Sequence, residues 1–277
     1  MRHNSNPVQR LTLGLLTYTS RGPVWAGCAQ AAQKHDVNLV GFGSWWLEMP
    51  TNFQSQANKL FDLVSTRSLD GLIVWSSALA TYVGAEAATR FCERFRSLPM
   101  VSLGMALPTI PSIIVDEYSG MCDLVKHVVL THKRRKPALL LGSEQHPEMK
   151  TRLRAYRDTL RACGIAFRQE GVVIPETDRD ELIGIEVLNT LLDKRHVEFD
   201  SLICGSGSAA ASLIEALHQR GMTLPDDVAV VSFGQSPDSN ASLTCVNYPY
   251  FEQGSLAVDL LVEQLRGGAS PERVVLK

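Results

Sequence analysis

The chain has 277 residues, 45% of them hydrophobic and 20% charged, with a formal net charge of -2. This is ordinary globular composition, long enough for two cores, and it lacks the positive field that recruits nucleic acid. Six scattered cysteines (Cys28, Cys92, Cys122, Cys163, Cys204, Cys245) form no Cys-x-x-Cys pair, so they read as buried thiols in a reducing compartment. The first ten residues are polar, and the apolar run at 11–16 is too short for a signal-peptide core. Nothing approaches a membrane span. A cytoplasmic protein is expected.

Short apolar, β-rich runs are expected as strands at 11–17, 37–43, 71–75, 100–103, 112–115, 138–142, 171–174, 201–204, 228–233 and 244–247. Between them, helical periodicity predicts helices at 24–35, 54–66, 82–96, 119–131, 148–163, 180–194, 209–220 and 251–266. In the sixth of these, Leu182, Ile185, Leu188, Leu191 and Leu192 are expected on one buried face. The alternation means α/β architecture with parallel sheets, and ten strands are too many for one sheet. Ligands of open parallel sheets lie beyond the carboxyl ends of the strands. The positions to search are therefore 17–21, 44–46, Ser76 and Ser77, Gly104, 143–149, 205–208 and 234–238.

Catalytic patterns are sparse. The seven histidines show neither His-Glu-x-x-His nor i,i+4 metal spacing, and there is no Gly-x-Ser-x-Gly elbow. Asp226 and Asp227 follow Leu224-Pro225 and read as a turn. The run Lys133-Arg134-Arg135-Lys136 is short and lacks interleaved aromatics, so it reads as a solvated turn and not a nucleic-acid patch. Gly205-x-Gly207-x-x-Ala210 could open a dinucleotide site, but the next strand ends Phe233-Gly234-Gln235 without the acid that holds ribose hydroxyls. Its better role is a close backbone approach at a helix N-terminus. No cofactor and no metal are expected.

Six segments in order resemble the effector-binding module of the LacI/GalR family, which has the periplasmic-binding-protein fold. Asp70-Gly71-Leu72-Ile73-Val74 looks like that family's "DGIIL" strand, and Val115-Asp116-Glu117-Tyr118-Ser119-Gly120 like its "VDNxxG" turn into a helix. His132 to Lys136 before Ala138-Leu139-Leu140 is similar to "GHRRIAFI", and Arg152-Leu153-Arg154-Ala155-Tyr156 to "RLxGF". Leu224 to Val231 resembles "VPEDVAVV", and Leu243-Thr244-Cys245-Val246 with Gly254 resembles "LTTVxQPxxxMG". The similarity covers residues 11 to 276. The family's "ANDxxA" is here Gly205-Ser206-Gly207-Ser208-Ala209-Ala210, "GFDD" is Ser232-Phe233-Gly234-Gln235, and the late Gln is Tyr248. Carboxylates that commonly hold sugar hydroxyls are thus missing, which weighs against a simple sugar.

The resemblance implies two Rossmann-like lobes, 1–117 with 248–277 and 118–247, clamping a small polar metabolite (a sugar, sugar derivative or nucleoside-like molecule). It implies ligand contacts from Arg152, Ser206, Gln235 and Tyr248 on one side and Tyr18, Trp25, Trp46 and Ser76 on the other. Core packing is the alternative for Trp25, and hinge packing for Tyr248. The resemblance also implies a homodimer, with the helix at 82–96 as a candidate interface. The family's helix-turn-helix head is not seen before the first strand, so direct DNA contact and membrane contact are not expected. The stretches around Trp25, Thr81-Tyr82-Val83-Gly84 and 98–102 resemble a subgroup whose sensor feeds an output domain such as a histidine kinase or diguanylate cyclase. A repressor whose head lies elsewhere, a solute-binding protein and an enzyme remain the alternatives.

Overall fold

The computed structural model describes residues 10–49, 54–143, 145–177, 179–235, 243–269 and 271–277. The expected polar lead at 1–9 and the strand-end positions 144 and 236–238 lie outside the described residues. The strands are β1 (Thr12–Thr17), β2 (Asn38–Gly43), β3 (Gly71–Val74), β4 (Met100–Leu103), β5 (Ser112–Val115), β6 (Pro137–Leu140), β7 (Val172–Val173), β8 (Ser201–Cys204), β9 (Ala229–Phe233), β10 (Thr244–Val246) and β11 (Arg273–Leu276). The helices are α1 (Pro23–His35), α2 (Gln54–Ala57), α3 (Ser76–Leu79), α4 (Gly84–Glu93), α5 (Glu117–Lys126), α6 (Pro147–Ala162), α7 (Asp180–Leu188), α8 (Gly207–Gln219) and α9 (Tyr250–Leu265).

The chain divides into two compact units, Met1–Val115 with Pro249–Leu276, and Asp116–Tyr248. The first holds a six-stranded sheet in the order β11-β5-β4-β3-β1-β2, the second a five-stranded sheet in the order β10-β9-β8-β6-β7. Every strand pairing is parallel. Strands β3, β4, β6 and β8 are buried at every residue, as mostly apolar runs covered by helices on both faces require, with Ser102 and Ser201 the buried polar positions among them. The chain is therefore α/β with two parallel-sheet lobes of the periplasmic-binding-protein-like fold.

In the first unit, α1 and α9 cross almost backbone to backbone. A Cβ at Gly27 would sit 2.0 Å from the Phe251 carbonyl oxygen, and one at Gly254 would sit 2.2 Å from that of Val24. The Cys28 thiol donates to the Gly254 carbonyl at 3.3 Å. Two hydrophobic clusters cover the faces of this sheet, one around Leu13, Ile73, Val101 and Leu261, the other around Leu16, Phe61, Leu72 and Phe91.

Several expected elements are altered. The helix expected at 54–66 is one α turn followed by a 3₁₀ stretch, Asn58–Leu63. The side chain of Asn58 is spent on the loop after β2. The helix expected at 82–96 contracts to α4. Two others close with a π-helical turn, His127–Thr131 after α5 and Asn189–Lys194 after α7. The single leucine face expected along the latter does not form: Leu182 and Ile185 are exposed, while Gly184, Val187, Leu188 and Leu191 are buried. Gly184 decides this, because a Cβ there would meet the Ser212 carbonyl oxygen of α8 at 2.2 Å. Close approach of the two helices selects the face carrying the glycine over the face carrying the most leucine. Among the described residues no helix is long and apolar enough to cross a membrane.

Candidate functional site

In the second unit, the carboxyl ends of β8, β9 and β10 and the start of α6 converge on one guanidinium. Arg152 is 1% exposed, the largest fully buried side chain among the described residues. Its Nε donates to Glu117 Oε2 at 2.7 Å, Nη2 donates to Glu148 Oε2 at 3.3 Å, and Nη1 donates to the carbonyl oxygen of Gly205. The plane lies 4.1 Å from the Phe233 ring centroid and 5.5 Å from that of Tyr248, a stacked cation contact. Tyr248 donates its hydroxyl to Glu148 Oε2 at 3.3 Å and meets Phe233 edge-on at 5.1 Å. Gly234 turns the chain there with φ of 81°, and a Cβ at that position would touch the Tyr248 ring at 3.4 Å.

Two carboxylates share this one cation in a buried place. Burial pushes the Glu117 carboxyl up to about 7, with Arg152 opposing the rise and Glu148 adding to it. Asp116 caps α5 by accepting the Ser119 amide at 3.0 Å, which sets Glu117 at the first turn facing Arg152. Glu148 stands one helical turn before Arg152 on α6, the i,i+4 spacing that brings side chains together. His146 caps the same helix, its Nδ1 accepting the Glu148 amide at 3.3 Å. Ser206 caps α8 by accepting the Ala209 amide at 3.3 Å.

The first unit presents a different surface at its strand ends. Because β3, β1 and β2 are neighbours, the residues just beyond them come together. Tyr18 stacks on Trp46 with ring centroids 5.7 Å apart and planes 15° apart, and Trp75 tilts against Tyr18 at 5.3 Å. Trp45, Tyr82 and Tyr250 extend the cluster through Trp46 and Trp75. Asn58 fastens the tryptophan loop by accepting from the Ser44 hydroxyl at 2.7 Å and the Trp45 amide at 3.1 Å, while donating to the Trp46 carbonyl at 3.2 Å.

Of the eight residues singled out from the sequence, Ser206, Gln235 and Tyr248 lie just beyond strand ends of the second unit, and Arg152 lies in the second turn of α6. Arg152 is not an open fork there, since its donors are already engaged inside the protein. Tyr18 and Trp46 lie together in the first unit. Trp25 lies elsewhere, its indole against Gly41 of β2, where a Cβ would meet the ring at 2.5 Å. Ser76 is 1% exposed, its hydroxyl 2.5 Å from that of Ser102 and donating to the Leu103 carbonyl at 3.0 Å. That hydroxyl is spent on joining the start of α3 to β4. Sequence reasoning missed Asn58, and it gave no site role to Glu117, quoted only within a motif, or to Glu148, which lay within the searched 143–149. Only Glu148 carried a legible signal, its spacing to Arg152.

Cys28, Cys92 and Cys204 are buried, and desolvation pushes each thiol up to about 12. Cys122, Cys163 and Cys245 are only half-buried, so burial of all six thiols does not hold. Among the described residues no three histidine, cysteine, aspartate or glutamate side chains cluster as a metal site. What the assembled groups can do is recognise: a rigid cation edge with two carboxylates and a phenol in one unit, and stacked aromatic faces in the other.

Comparison with known proteins agrees with this architecture. The periplasmic binding protein-like domain model matches residues 127–277, more than half of the chain. The HTH-type transcriptional repressor CytR of Escherichia coli is 26% identical over 221 residues, covering 77% of this chain and 62% of the repressor. The chain thus spans under two thirds of that relative's length. The transcription regulator CcpA of Lactococcus lactis superposes with a TM-score of 0.79 at 19% identity, over 97% of this chain and 96% of that one. A periplasmic binding protein/LacI transcriptional regulator from Alkaliphilus metalliredigens, complexed with D-xylulofuranose, superposes with a TM-score of 0.73 at 18% identity, over 96% and 95%. With two parallel-sheet units and a family match across its second half, the chain belongs to the periplasmic binding protein-like domain family, and it is similar in sequence and fold to LacI-type transcription regulators.

Proposed function

We propose that the chain is a non-catalytic sensor of a small polar metabolite within a LacI-type regulator, and that ligand-driven closure of its lobes is passed to a dimer partner or an attached output. The carrying observation is the convergence of Glu117, Glu148, Gly205, Phe233 and Tyr248 on Arg152. In this reading Glu117 keeps the Nε edge and orients the guanidinium. The Nη2 contact to Glu148, at 3.3 Å the longer of the two carboxylate bonds, is the one a ligand oxygen replaces. A hydroxyl pair or a carboxylate suits that planar fork. Tyr18 and Trp46 supply a flat aromatic face for a sugar or nucleoside ring.

Two facts support a metabolite of this class. One relative is a transcriptional repressor, and one structural neighbour holds D-xylulofuranose. The transcription-regulator form, with a DNA-binding head, is favoured over a fused histidine kinase or diguanylate cyclase because the curated relative is named for its HTH-type repression.

The test is a thermal-shift screen against sugars, sugar acids, nucleosides and amino acids, on wild type, Arg152→Lys and Trp46→Ala. A ligand at a hundred times its dissociation constant adds about 2.7 kcal/mol and shifts the midpoint by several degrees. The expected result is a hit in one class that both substitutions weaken. A hit indifferent to both, or none in any class, overturns the assignment.

A further inference from the structure

The π-helical turn His127–Thr131 does something an α-helix could not. In an α-helix, residues five apart point about 140° away from one another. Here the His132 amide bonds to the His127 carbonyl at 3.2 Å, an i to i+5 closure, and the extra residue swings His132 back over His127. The two rings stand 4.6 Å apart at 78°, and their Nε2 atoms share a hydrogen bond at 3.0 Å, whose proton a bound ion would displace. His127 is half-buried and His132 exposed. The backbone holds this arrangement on both sides. Val128 and Val129 are buried beneath the turn, Lys133 takes a left-handed conformation with φ of 57°, and the Arg134 amide bonds to the Val128 carbonyl at 3.2 Å.

We propose that His127 and His132 form a two-nitrogen surface chelate for a divalent transition metal of the copper(II) or nickel(II) class. At a metal–nitrogen distance of ~2.05 Å, nitrogens 3.0 Å apart subtend about 94° at the metal. That is the cis angle of a square-planar or octahedral centre, and it is tighter than a tetrahedral zinc site prefers. Imidazole suits both copper and nickel. The remaining positions take water, since no third protein ligand joins the pair among the described residues. A bound ion pins the π turn that leads into β6. The inference is independent of the effector site, because it uses none of that site's residues.

The measurement is a copper(II) titration followed by calorimetry and electron paramagnetic resonance. It is done in a His3→Ala background, so that this histidine, outside the described residues, does not contribute. One equivalent is expected, with hyperfine structure from two imidazole nitrogens. Loss of an outer-shell partner alone weakens metal sites about 10–100-fold, so His132→Gln and His127→Gln should each weaken binding at least tenfold and leave a one-nitrogen signal. The exposed His132 can be changed with the far-ultraviolet circular dichroism unaltered. Copper binding no tighter than in the double variant overturns the proposal. So does a loss produced by only one of the two substitutions.

Discussion

Arg152 and Glu117 form a buried ion pair, with Nε 2.7 Å from Oε2 and side-chain exposures of 1% and 8%. The partners come from α6 and α5, so the bond also ties two helices of the second unit together. Removing one member of such a pair strands the other charge out of water, at about 3–5 kcal/mol. At a pH above about 7, where Glu117 is ionised, Arg152→Ala should therefore lower the unfolding free energy by about that amount, measured by urea denaturation, while Arg152→Lys should lose less. Equal stability of wild type and Arg152→Ala would mean that water reaches Glu117.

The same pair gives the protein a pH dependence of definite sign. Burial raises the Glu117 carboxyl to about 7 in the folded chain, from an ordinary value of 4.5. Between those two values the native state holds the proton more tightly than the unfolded chain does, so this group's stabilisation is present below about 4.5 and is lost as pH rises toward 7. The contribution is on the order of 3 kcal/mol. Urea midpoints across that range should flatten in Glu117→Gln relative to wild type. A slope unchanged by the substitution would assign the dependence to another group.

The crossing of α1 and α9 leaves no room for a methyl group. A Cβ at Gly27 would lie 2.0 Å from a backbone oxygen, which cannot swing away as a side chain can. Gly27→Ala should cost at least about 1–3 kcal/mol by overpacking, read as a lowered denaturation midpoint. Gly22→Ala is a useful contrast on the same helix's approach, since nothing lies within 4 Å of a Cβ there and only its φ of 100° resists the change.

Asn58 positions the tryptophan loop with three hydrogen bonds. Asn58→Ala should cost about 1–3 kcal/mol by leaving the Ser44 and Trp45 groups unpaired. On the proposed function it should also weaken ligand binding, because Trp46 would lose its fixed place beside Tyr18. Tryptophan fluorescence quenching with any hit from the screen would report both effects. Unchanged affinity would remove the loop from the binding surface.

Thiol reactivity should separate the six cysteines. Cys28, Cys92 and Cys204 are buried with their thiols pushed up to about 12, so they stay protonated and shielded near neutral pH. A disulfide reagent should modify at most Cys122, Cys163 and Cys245 in the native protein, and all six after unfolding.

The sequence by itself determined the alternation of strand and helix, the parallel sheets and the family. These depend on local periodicity and on motifs such as Leu224-Pro225-Asp226-Asp227, which survive in a linear reading. It also pointed to Tyr18 and Trp46 through the ends of parallel strands, where a sheet exposes polar chemistry, and to Arg152 through the resemblance. Tertiary structure decided the rest. Glu117 reaches Arg152 across 35 positions of sequence, and no spacing rule encodes such a contact. Ser76 sits at a strand end like the others, yet its hydroxyl turns inward to Ser102, a choice fixed by the neighbouring strand. The face of α7 followed Gly184 instead of its leucines because helix–helix distance, not hydrophobicity, was limiting. His127 and His132 escaped the search for i,i+4 spacing for a related reason. Only a π turn, stabilised by what packs beneath it, brings residues five apart onto one side.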